Sequence, residues 1–246
     1  IISAARVVYA FSNKALNLQV YNYIFKPLSD GNHPRLGDVI RQTKNNSIIG
    51  VNNRNFSLLG DPSLRLAYPK ENSVVTEIKG IAVSAIADTL KALSKVSIKG
   101  EIKNAAGTKL TGFNGKLNIT VYDKKSLVST LGTQNSPPFT FGLRTNFLFD
   151  GSASIINGDW SVSFVVPKDI SYQYDFGKIS LYAAQDGTLE DAGGYYTNVI
   201  IGGTDPNAPA DDTPPRIRLF MNDESFVFGG LTSKDALFLA KLSDEN

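Results

Sequence analysis

The sequence predicts a mainly β fold that begins with a small α/β remnant. Two observations lead to this class. Up to about residue 68 the apolar spacing changes from strand-like to helical and back again. From about Val74 onward, short alternating segments follow one another, separated by Gly, Asn and Pro. At 246 residues the chain is long enough for one or two domains that each bury a core.

The first elements combine one strand with two helices. Residues Ile1–Tyr9 suggest a buried strand. Ser12 is placed to cap a helix that ends at Pro27, and its apolar positions repeat at helical spacing: Leu16, Val20, Tyr23 and Ile24. A second short helix is expected from Leu36 to about Lys44. Strand, helix, helix, turn and strand are typical of the tail of an α/β layer domain.

A conspicuous run, Asn55–Leu66, closes this first part. We expect Leu58 and Leu59 to be buried anchors, and Gly60 to take a backbone angle that other residues avoid. Asp61-Pro62 then begins a turn in which the aspartate side chain accepts a hydrogen bond, and a strand is expected over Ser63–Ala67. The same residues also suit an ordinary loop-to-strand turn.

The middle of the chain reads as an antiparallel β-sandwich, because seven or more short strands fall within about 130 residues. Asn157-Gly158 is the best local hairpin signal, and Asp186-Gly187 and Gly193-Gly194 are also predicted turns. The candidate strands are Val74-Thr76-Ile78, Val96-Ile98-Glu101-Ile102, Leu117-Ile119-Val121, Phe147-Phe149, Ala153-Ile155, Trp160-Val162-Phe164-Val166, Ile179-Leu181-Ala183 and Val199-Ile201.

A linker is expected at Thr204–Pro215, which holds four prolines and three aspartates and has little to bury. Arg216–Phe220 and the apolar run Ala236–Leu242 are expected strands beyond it. The sequence therefore predicts four parts, namely residues 1–72, a sandwich over 73–203, a linker over 204–215 and an incomplete β segment over 216–246. Both ends look cut, which indicates a fragment.

Composition excludes several function classes. The net charge of +2 gives no electrostatic case for nucleic acid, and no apolar run is long enough to insert into a membrane. The chain has no cysteine, so it can form no disulfide, thiolate metal site or cysteine nucleophile.

Candidate catalytic and metal-binding residues are sparse. His33 lies in a loop-like sequence, where a solvated histidine is expected, and no Gly-x-Ser-x-Gly elbow is present. Asp186, Glu190 and Asp191 could offer oxygens to calcium, but a solvated loop explains them better, because calcium takes six to eight oxygen ligands. Asp211 and Asp212 are weaker candidates. We therefore predict no catalytic, cofactor-binding or metal residue and no cofactor.

Glycine pairs and aromatic residues have plain structural explanations. The pairs Gly193-Gly194, Gly202-Gly203 and Gly229-Gly230 lack phosphate-loop spacing and are expected to be turns. Four aromatic residues that alternate within strands are expected in the core: Phe147, Phe149, Trp160 and Phe164. Four tyrosines in loop-like stretches are the better candidates for a binding surface: Tyr172, Tyr174, Tyr195 and Tyr196.

Taken together, four segments resemble the gingipain-type cysteine peptidase family: Asn55–Leu66, Gly158–Ile170, Gly177–Ala183 and Leu219–Gly230. In that family a Leu-Leu-Gly-Asp-Pro turn ends a caspase-like α/β peptidase domain, and an immunoglobulin-like domain follows. The last three segments are similar to the C-terminal half of the family's type IX secretion sortase. The resemblance covers nearly the whole chain.

The resemblance implies a parent with a Cys/His dyad that works at the cell surface. It removes C-terminal sorting domains from secreted cargo and joins the cargo to surface lipopolysaccharide. The family's catalytic residues precede the strand that matches Ile1–Tyr9, so none is carried over to this chain. The partners implied are the rest of the peptidase domain, secreted cargo and other secretion components. A different class remains open, an adhesion or carbohydrate-binding sandwich without enzymatic role.

Overall fold

A computed structural model describes residues 2–47, 50–84, 89–133, 137–208 and 214–243. The chain divides into two compact units, Ile1–Pro69 and Lys70–Asn246. The fold is mainly β, as predicted, and all three helices described lie in the first unit. None of the described helices has the length and apolar character needed to cross a bilayer. The four-part division of the chain stays a prediction.

The first unit contains a two-stranded sheet and three helices, in the order β1 (Ile2–Ala4), α1 (Ala10–Ile24), α2 (Leu36–Asn46), α3 (Val51–Arg54) and β2 (Phe56–Leu58). β1 pairs antiparallel with β2. Both predicted helices are confirmed, and α3 is an addition. The small core of the first unit is formed by Leu16 of α1, Val39 of α2 and Phe56 of β2, all of them buried.

Several details of the first unit differ from the predictions. The first strand is short and largely exposed, because β2 is its only neighbour within the described residues. Ser12 does not cap α1; it lies inside the first turn, where its Oγ accepts a hydrogen bond from Asn52 at 3.2 Å. The strand predicted at Ser63–Ala67 is absent, because the strand of this region precedes the turn and ends at Leu58.

The second unit is built almost entirely from strands. Their bounds are β3 (Glu71–Ile78), β4 (Ile81–Ala82), β5 (Leu90–Ala92), β6 (Lys95–Lys103), β7 (Gly115–Tyr122), β8 (Ser126–Ser129), β9 (Thr140–Leu143), β10 (Phe147–Ile156), β11 (Asp159–Val165), β12 (Asp175–Phe176), β13 (Lys178–Gln185), β14 (Asp191–Tyr196), β15 (Ile200–Thr204), β16 (Arg216–Met221) and β17 (Phe238–Ser243).

Seven of these strands form a ring in the order β14, β13, β7, β10, β11, β6, β3 and back to β14, with β4 attached to β3. All the pairs in the ring are antiparallel except β14 with β3, which is parallel and spans only two residue pairs. The prediction of two separate sheets is therefore not confirmed, because hydrogen bonds join the strands into one barrel-like sheet. β10 and β11 are also joined by only two pairs, at their hairpin end.

One apolar core fills this ring. Its members come from inward positions of the seven ring strands and from adjoining loops. The largest fully buried side chains include Phe113, Ile98, Leu117, Ile119 and Ile179. Burial alternates along β7 and β11, as the sequence pattern requires of strands that are half exposed. Strands β5, β12 and β15 form a separate three-stranded sheet, whose Leu90, Ala92 and Ile201 join the same core.

Two hairpins stand apart from the ring in their pairing. β8 pairs with β9, and β16 pairs with β17 over six residue pairs. The expected strands at Arg216–Phe220 and Ala236–Leu242 are thus each other's partners. One face of the β16/β17 hairpin is apolar and exposed, with Ile217 opposite Leu242 and Leu219 opposite Ala240.

The hairpin turn at Asn157-Gly158 is confirmed, since both residues have positive φ angles, of 52° and 79°. The turn at Asp186-Gly187 is also confirmed. By contrast, Gly193 and Gly194 lie inside β14, and Gly202 and Gly203 lie inside β15, so these two predicted turns are wrong. A Cβ on Gly194 would overlap the carbonyl oxygen of Ser73, so glycine is needed here to let β3 approach.

Candidate functional site

An apolar cleft of about 520 Å³ lies in the first unit, between the β1/β2 ribbon and α1. α1 contributes Leu16, Val20 and Ile24, whose helical spacing places them on one face. The other wall includes Ile2 of β1, and Phe56 and Leu58 of β2. Of these six, only Leu16 and Phe56 are buried. The unit therefore leaves part of its apolar face uncovered.

The predicted turn at Gly60–Ser63 is present and has a second function in the structure. Gly60 has a φ of 136°, and the Asp61 Oδ1 accepts a hydrogen bond from the Ser63 main-chain N–H at 2.7 Å. Hydrogen bonds from Ser63 hold the pKa of the Asp61 carboxyl below its usual value, the side-chain bond having the larger effect. These features confirm the glycine-specific angle and the aspartate hydrogen bond.

The same turn satisfies the start of α2. The carbonyl of Pro62 accepts a hydrogen bond from the Gly37 N–H at 2.9 Å, and the carbonyl of Leu64 accepts one from the Leu36 N–H at 2.8 Å. A Cβ on Gly37 would lie 2.7 Å from the Cβ of Pro62. The first N–H groups of a helix lack partners within the helix, so this turn caps α2 from outside. Gly37 was missed from the sequence because its partner is distant along the chain.

The prediction that Leu58 and Leu59 are buried anchors of that turn is wrong in part. Leu59 is 60% exposed and Leu58 is half-buried, whereas Phe56 is buried. β2 ends at Leu58, so its alternation places Phe56 inward and Ser57 outward, and Leu59 lies beyond the last paired residue.

His33 is not the solvated histidine that was expected. Its ring stacks on Tyr68 with centroids 3.6 Å apart, its Nδ1 is buried without a hydrogen-bond partner, and Arg65 donates to its carbonyl. Tyr68 donates its hydroxyl to the Ile24 carbonyl, and burial raises the pKa of Tyr68. The loop is thus packed through aromatic contacts, and with no thiol in the chain these contacts assemble no nucleophile and base.

Three of the four strand aromatics are core residues, as predicted. Trp160 and Phe164 are buried, and Phe149 stacks on Phe164 with centroids 4.6 Å apart. Phe147 is 59% exposed, and its assignment to the core is wrong. The pairing of β10 with β7 shifts between Phe147 and Phe149, so Leu148 takes the inward position instead.

The four tyrosines occupy different settings. Tyr195 and Tyr196 lie in β14 and not in a loop, and the Tyr195 ring is exposed beneath the Lys178 ammonium, 5.7 Å away. Tyr172 donates its hydroxyl to the Lys168 carbonyl at 2.8 Å. Tyr174 is 63% exposed. A binding function for these residues stays a prediction.

The acidic candidates are spread over separate positions. Asp191 lies in β14, where one oxygen accepts the Lys70 main-chain N–H and the other accepts the Tyr182 hydroxyl, at 3.2 and 3.3 Å. Asp186 belongs to the turn before it. Across the described residues, no group of three or more histidines or acidic residues could hold a metal ion. Asp211 and Asp212 lie outside the described residues.

A polar cleft of about 300 Å³ lies in the second unit, and no sequence pattern signalled it. It is lined chiefly by Asp123, Lys124, Asn146, Ser171, Tyr174 and Asp175. Asp123 and Lys124 are both buried and form an ion pair at 2.8 Å. Buried charges occur where they are paired and hydrogen-bonded, and the Lys124 ammonium also donates to the carbonyls of Ser171 and Ile201, at 2.7 and 3.4 Å.

Comparison with known proteins agrees with the division of the chain into two units. Residues 1–67, which end close to the limit of the first unit, match the model of peptidase family C25. The crystal structure of dimeric latent PorU from Porphyromonas gingivalis is similar to 90% of this chain, with 30% identity and a TM-score of 0.60. Both matches support a PorU-like, gingipain-like chain. It spans 21% of that PorU chain. No curated protein sequence matches it.

The similarity to PorU extends well beyond the family match, because it includes strands of the second unit as well as residues 1–67. The apolar cleft lies wholly within the family-matched residues, whereas the polar cleft lies wholly outside them. The family match therefore bears on the apolar cleft and not on the polar cleft.

Proposed function

We propose that this chain is a non-catalytic portion of a PorU-like cysteine peptidase, the sortase that removes C-terminal sorting domains from type IX secretion cargo. In this proposal residues 1–72 complete the peptidase domain, and the parent acts at the outer face of the outer membrane. Cargo and other secretion components are its partners. The observation that carries the proposal is the partly uncovered apolar cleft inside the segment that matches family C25.

The cleft requires a partner with apolar side chains. Burying apolar surface contributes roughly 25 cal/mol per Å², and an α/β layer normally covers both faces of its sheet. Here a two-stranded ribbon and α1 leave Val20, Ile24 and Leu58 only half-buried. The rest of the parent's peptidase domain is the occupant we propose, because the ribbon and cleft belong to the family-matched residues.

The chemistry belongs to residues outside this chain. Amide attack needs a thiolate generated next to a base, and this chain has no cysteine. We place the parent's histidine and cysteine before residue 1, within a few dozen residues for the cysteine. An acyl-enzyme formed there can be resolved by an amine instead of water, which would transfer the cargo.

We also infer that residues 73–203 are an immunoglobulin-like module. In the immunoglobulin fold, strands A, B and E are neighbours in one sheet, and strands C, F and G are neighbours in the other. The first order is matched by β3, β6 and β11, and the second by β7, β13 and β14. The Tyr172 hydroxyl bond to the Lys168 carbonyl lies between β11 and β13, in the place of the tyrosine corner of that fold. Trp160 departs from the pattern, because it lies on β11 and no disulfide accompanies it.

The test uses the full-length parent and a matched pair of variants on α1. Val20→Asp places a charge in the apolar cleft, whereas Leu18→Asp changes an exposed residue of the same helix that does not line it. We expect Val20→Asp to abolish cargo processing or folded yield and Leu18→Asp to leave both near the parent level. Equal behaviour of the two variants would remove the cleft as a docking surface.

Two further measurements address the chemistry. The isolated chain should hydrolyse no peptide or ester substrate, and changing the upstream cysteine to alanine in the parent should stop cargo processing. Turnover by the isolated chain that survives repurification and cysteine inhibitors would contradict the first expectation. Absence of any upstream Cys/His pair would leave the adhesion-module alternative, which the comparisons do not favour.

A further inference from the structure

The polar cleft contains unused hydrogen-bond acceptors. Asp123 Oδ1 takes both the main-chain N–H and the ammonium of Lys124, at 2.7 and 2.8 Å. Asp175 Oδ1 accepts its neighbour Phe176 N–H at 2.7 Å. Among the described residues, Oδ2 of either carboxylate accepts no hydrogen bond. Two carboxylates thus line one cavity, each with an oxygen to offer.

Lys124, which lies beside these acceptors, donates no hydrogen bond to the Oδ2 atom of either aspartate. The Lys124 ammonium has three N–H donors, and its partners are Asp123 Oδ1, the Ser171 carbonyl and the Ile201 carbonyl. Its side chain is only 7% exposed, so it is fixed in this arrangement. The buried Asp123 carboxylate is accordingly held in place at the wall of the cleft, and its Oδ2 accepts no hydrogen bond from the described residues.

An aromatic ring is fixed at the same cleft. Gly202 and Gly203 allow the chain around Tyr174 to approach closely, since a Cβ on Gly202 would lie 2.9 Å from the Tyr174 Cα. A Cβ on Gly203 would overlap the Tyr174 hydroxyl. The ring therefore lies against β15 while most of its surface stays exposed. Guanidinium groups stack on such rings and donate to carboxylates in the same plane.

We propose that the polar cleft binds the guanidinium group of an arginine side chain presented by a protein partner. Its two free carboxylate oxygens supply acceptors, and Tyr174 supplies the stacking surface. A cavity of about 300 Å³ is at the small end of ligand sites, which suits one side chain. This proposal is independent of the catalytic chemistry, because the cleft lies outside the family-matched residues.

Lys125 sets the strength of this site. Its side chain also lines the cleft, and its Cδ would be 3.1 Å from a Cβ on Gly142. The cleft is lined by two lysines and two aspartates, Lys124, Lys125, Asp123 and Asp175, so their formal charges cancel. The preference for a cation therefore comes from the free oxygens and the ring, and removing the Lys125 charge should strengthen it.

The test is an NMR titration of the chain over residues 1–246 with N-acetylarginine methylamide. The matched probe is N-acetylcitrulline methylamide, which has the same shape without the charge. We expect shifts at the Asp123, Tyr174 and Asp175 amides with the arginine probe, and at least tenfold weaker binding of the citrulline probe, as for the loss of a charge-assisted hydrogen bond.

Three exposed positions provide variants that should keep the fold, checked by the melting temperature. Asp175→Asn and Tyr174→Ala should each weaken binding of the arginine probe by about three- to tenfold. Lys125→Gln should tighten it by about two- to threefold. Asp186→Asn and Tyr195→Ala are the controls, because they remove a carboxylate and an exposed ring elsewhere on the same unit.

The proposal is overturned if the arginine probe gives no shifts, if citrulline binds equally well, or if the control variants weaken binding as much as the cleft variants. Binding of neutral monosaccharides at the same amides without arginine binding would also overturn it, and would assign the cleft to a carbohydrate.

Discussion

Gly60 combines a φ of 136° with open space around its Cα. A side chain added there would meet no neighbour, so backbone strain alone decides the outcome. We expect Gly60→Val to lose about 1–3 kcal/mol of stability, because non-glycine residues avoid this region. Gly112→Val in the second unit is the control, read by hydrogen exchange of the neighbouring β7, since Gly112 also has open space and no positive φ. Hydrogen exchange of α1 and α2 reports on the first unit, and unchanged protection in Gly60→Val would refute the constraint.

Asp61 predicts a pH effect at the same turn. Its pKa is held below the ordinary value of 3.8, first by the Ser63 side-chain hydrogen bond and second by the main-chain bond. A pKa lowered in the folded state stabilises the turn above the unfolded pKa, and this contribution disappears as the pH falls through the folded pKa. Carboxyl NMR titration of Ser63→Ala should move the Asp61 midpoint upward, toward 3.8 but not fully to it. No movement would exclude the side-chain bond as the main cause.

At the level of elements, the parallel contact of β14 with β3 closes the ring through two residue pairs. Gly194 makes this possible, since a Cβ would overlap the Ser73 carbonyl oxygen. We expect Gly194→Ala to lower stability by about 1–3 kcal/mol, the usual cost of overpacking. Thermal unfolding compared with Gly112→Ala measures this. Equal melting temperatures of the two variants would show that the β14/β3 contact accommodates the added methyl group without loss of stability.

Sequence patterns found most of the barrel strands because alternation survives wherever pairing is regular. They failed at bulges, which move the inward face by one residue. In β3 the pairing shifts between Val75 and Glu77, so Val75 is buried where alternation suggested Val74 and Thr76. The Phe147 error has the same origin. The sequence predicts a turn at Gly193-Gly194, because the close approach that requires a glycine there involves Ser73, over a hundred residues away along the chain.

The clefts were harder to predict than the strands. The apolar cleft follows from helical spacing on α1, which the sequence contains, but its depth depends on which strand pairs with β1. The polar cleft has no local signal at all. Asp123 and Lys124 are adjacent charges that would ordinarily face solvent, and only the fold brings Ser171 and Ile201 to the ammonium.

For the whole molecule, the predicted linker gives a direct test of organisation. Thr204 is part of β15, and the Asp205 N–H donates to the Ala92 carbonyl at 3.0 Å, so the first residues of the predicted linker are held. We expect limited proteolysis to cut first between Asn207 and Pro215, where composition offers little burial. The digest should leave a resistant core from about Val74 to Gly203. First cuts within Trp160–Val166 would contradict the core assignment.

The contact between β14 and β3, which spans two residue pairs, also determines how the second unit would carry mechanical load. β3 follows the first unit along the chain, β14 leads toward residues 214–243, and the two strands run parallel. Tension applied between the two flanking segments pulls β3 from its start and β14 from its end, in opposite directions. The few hydrogen bonds of this contact are then sheared together and not unzipped one by one. A chain stretched between these two flanking segments would therefore resist until the β14/β3 contact gives way, and the barrel would open there first.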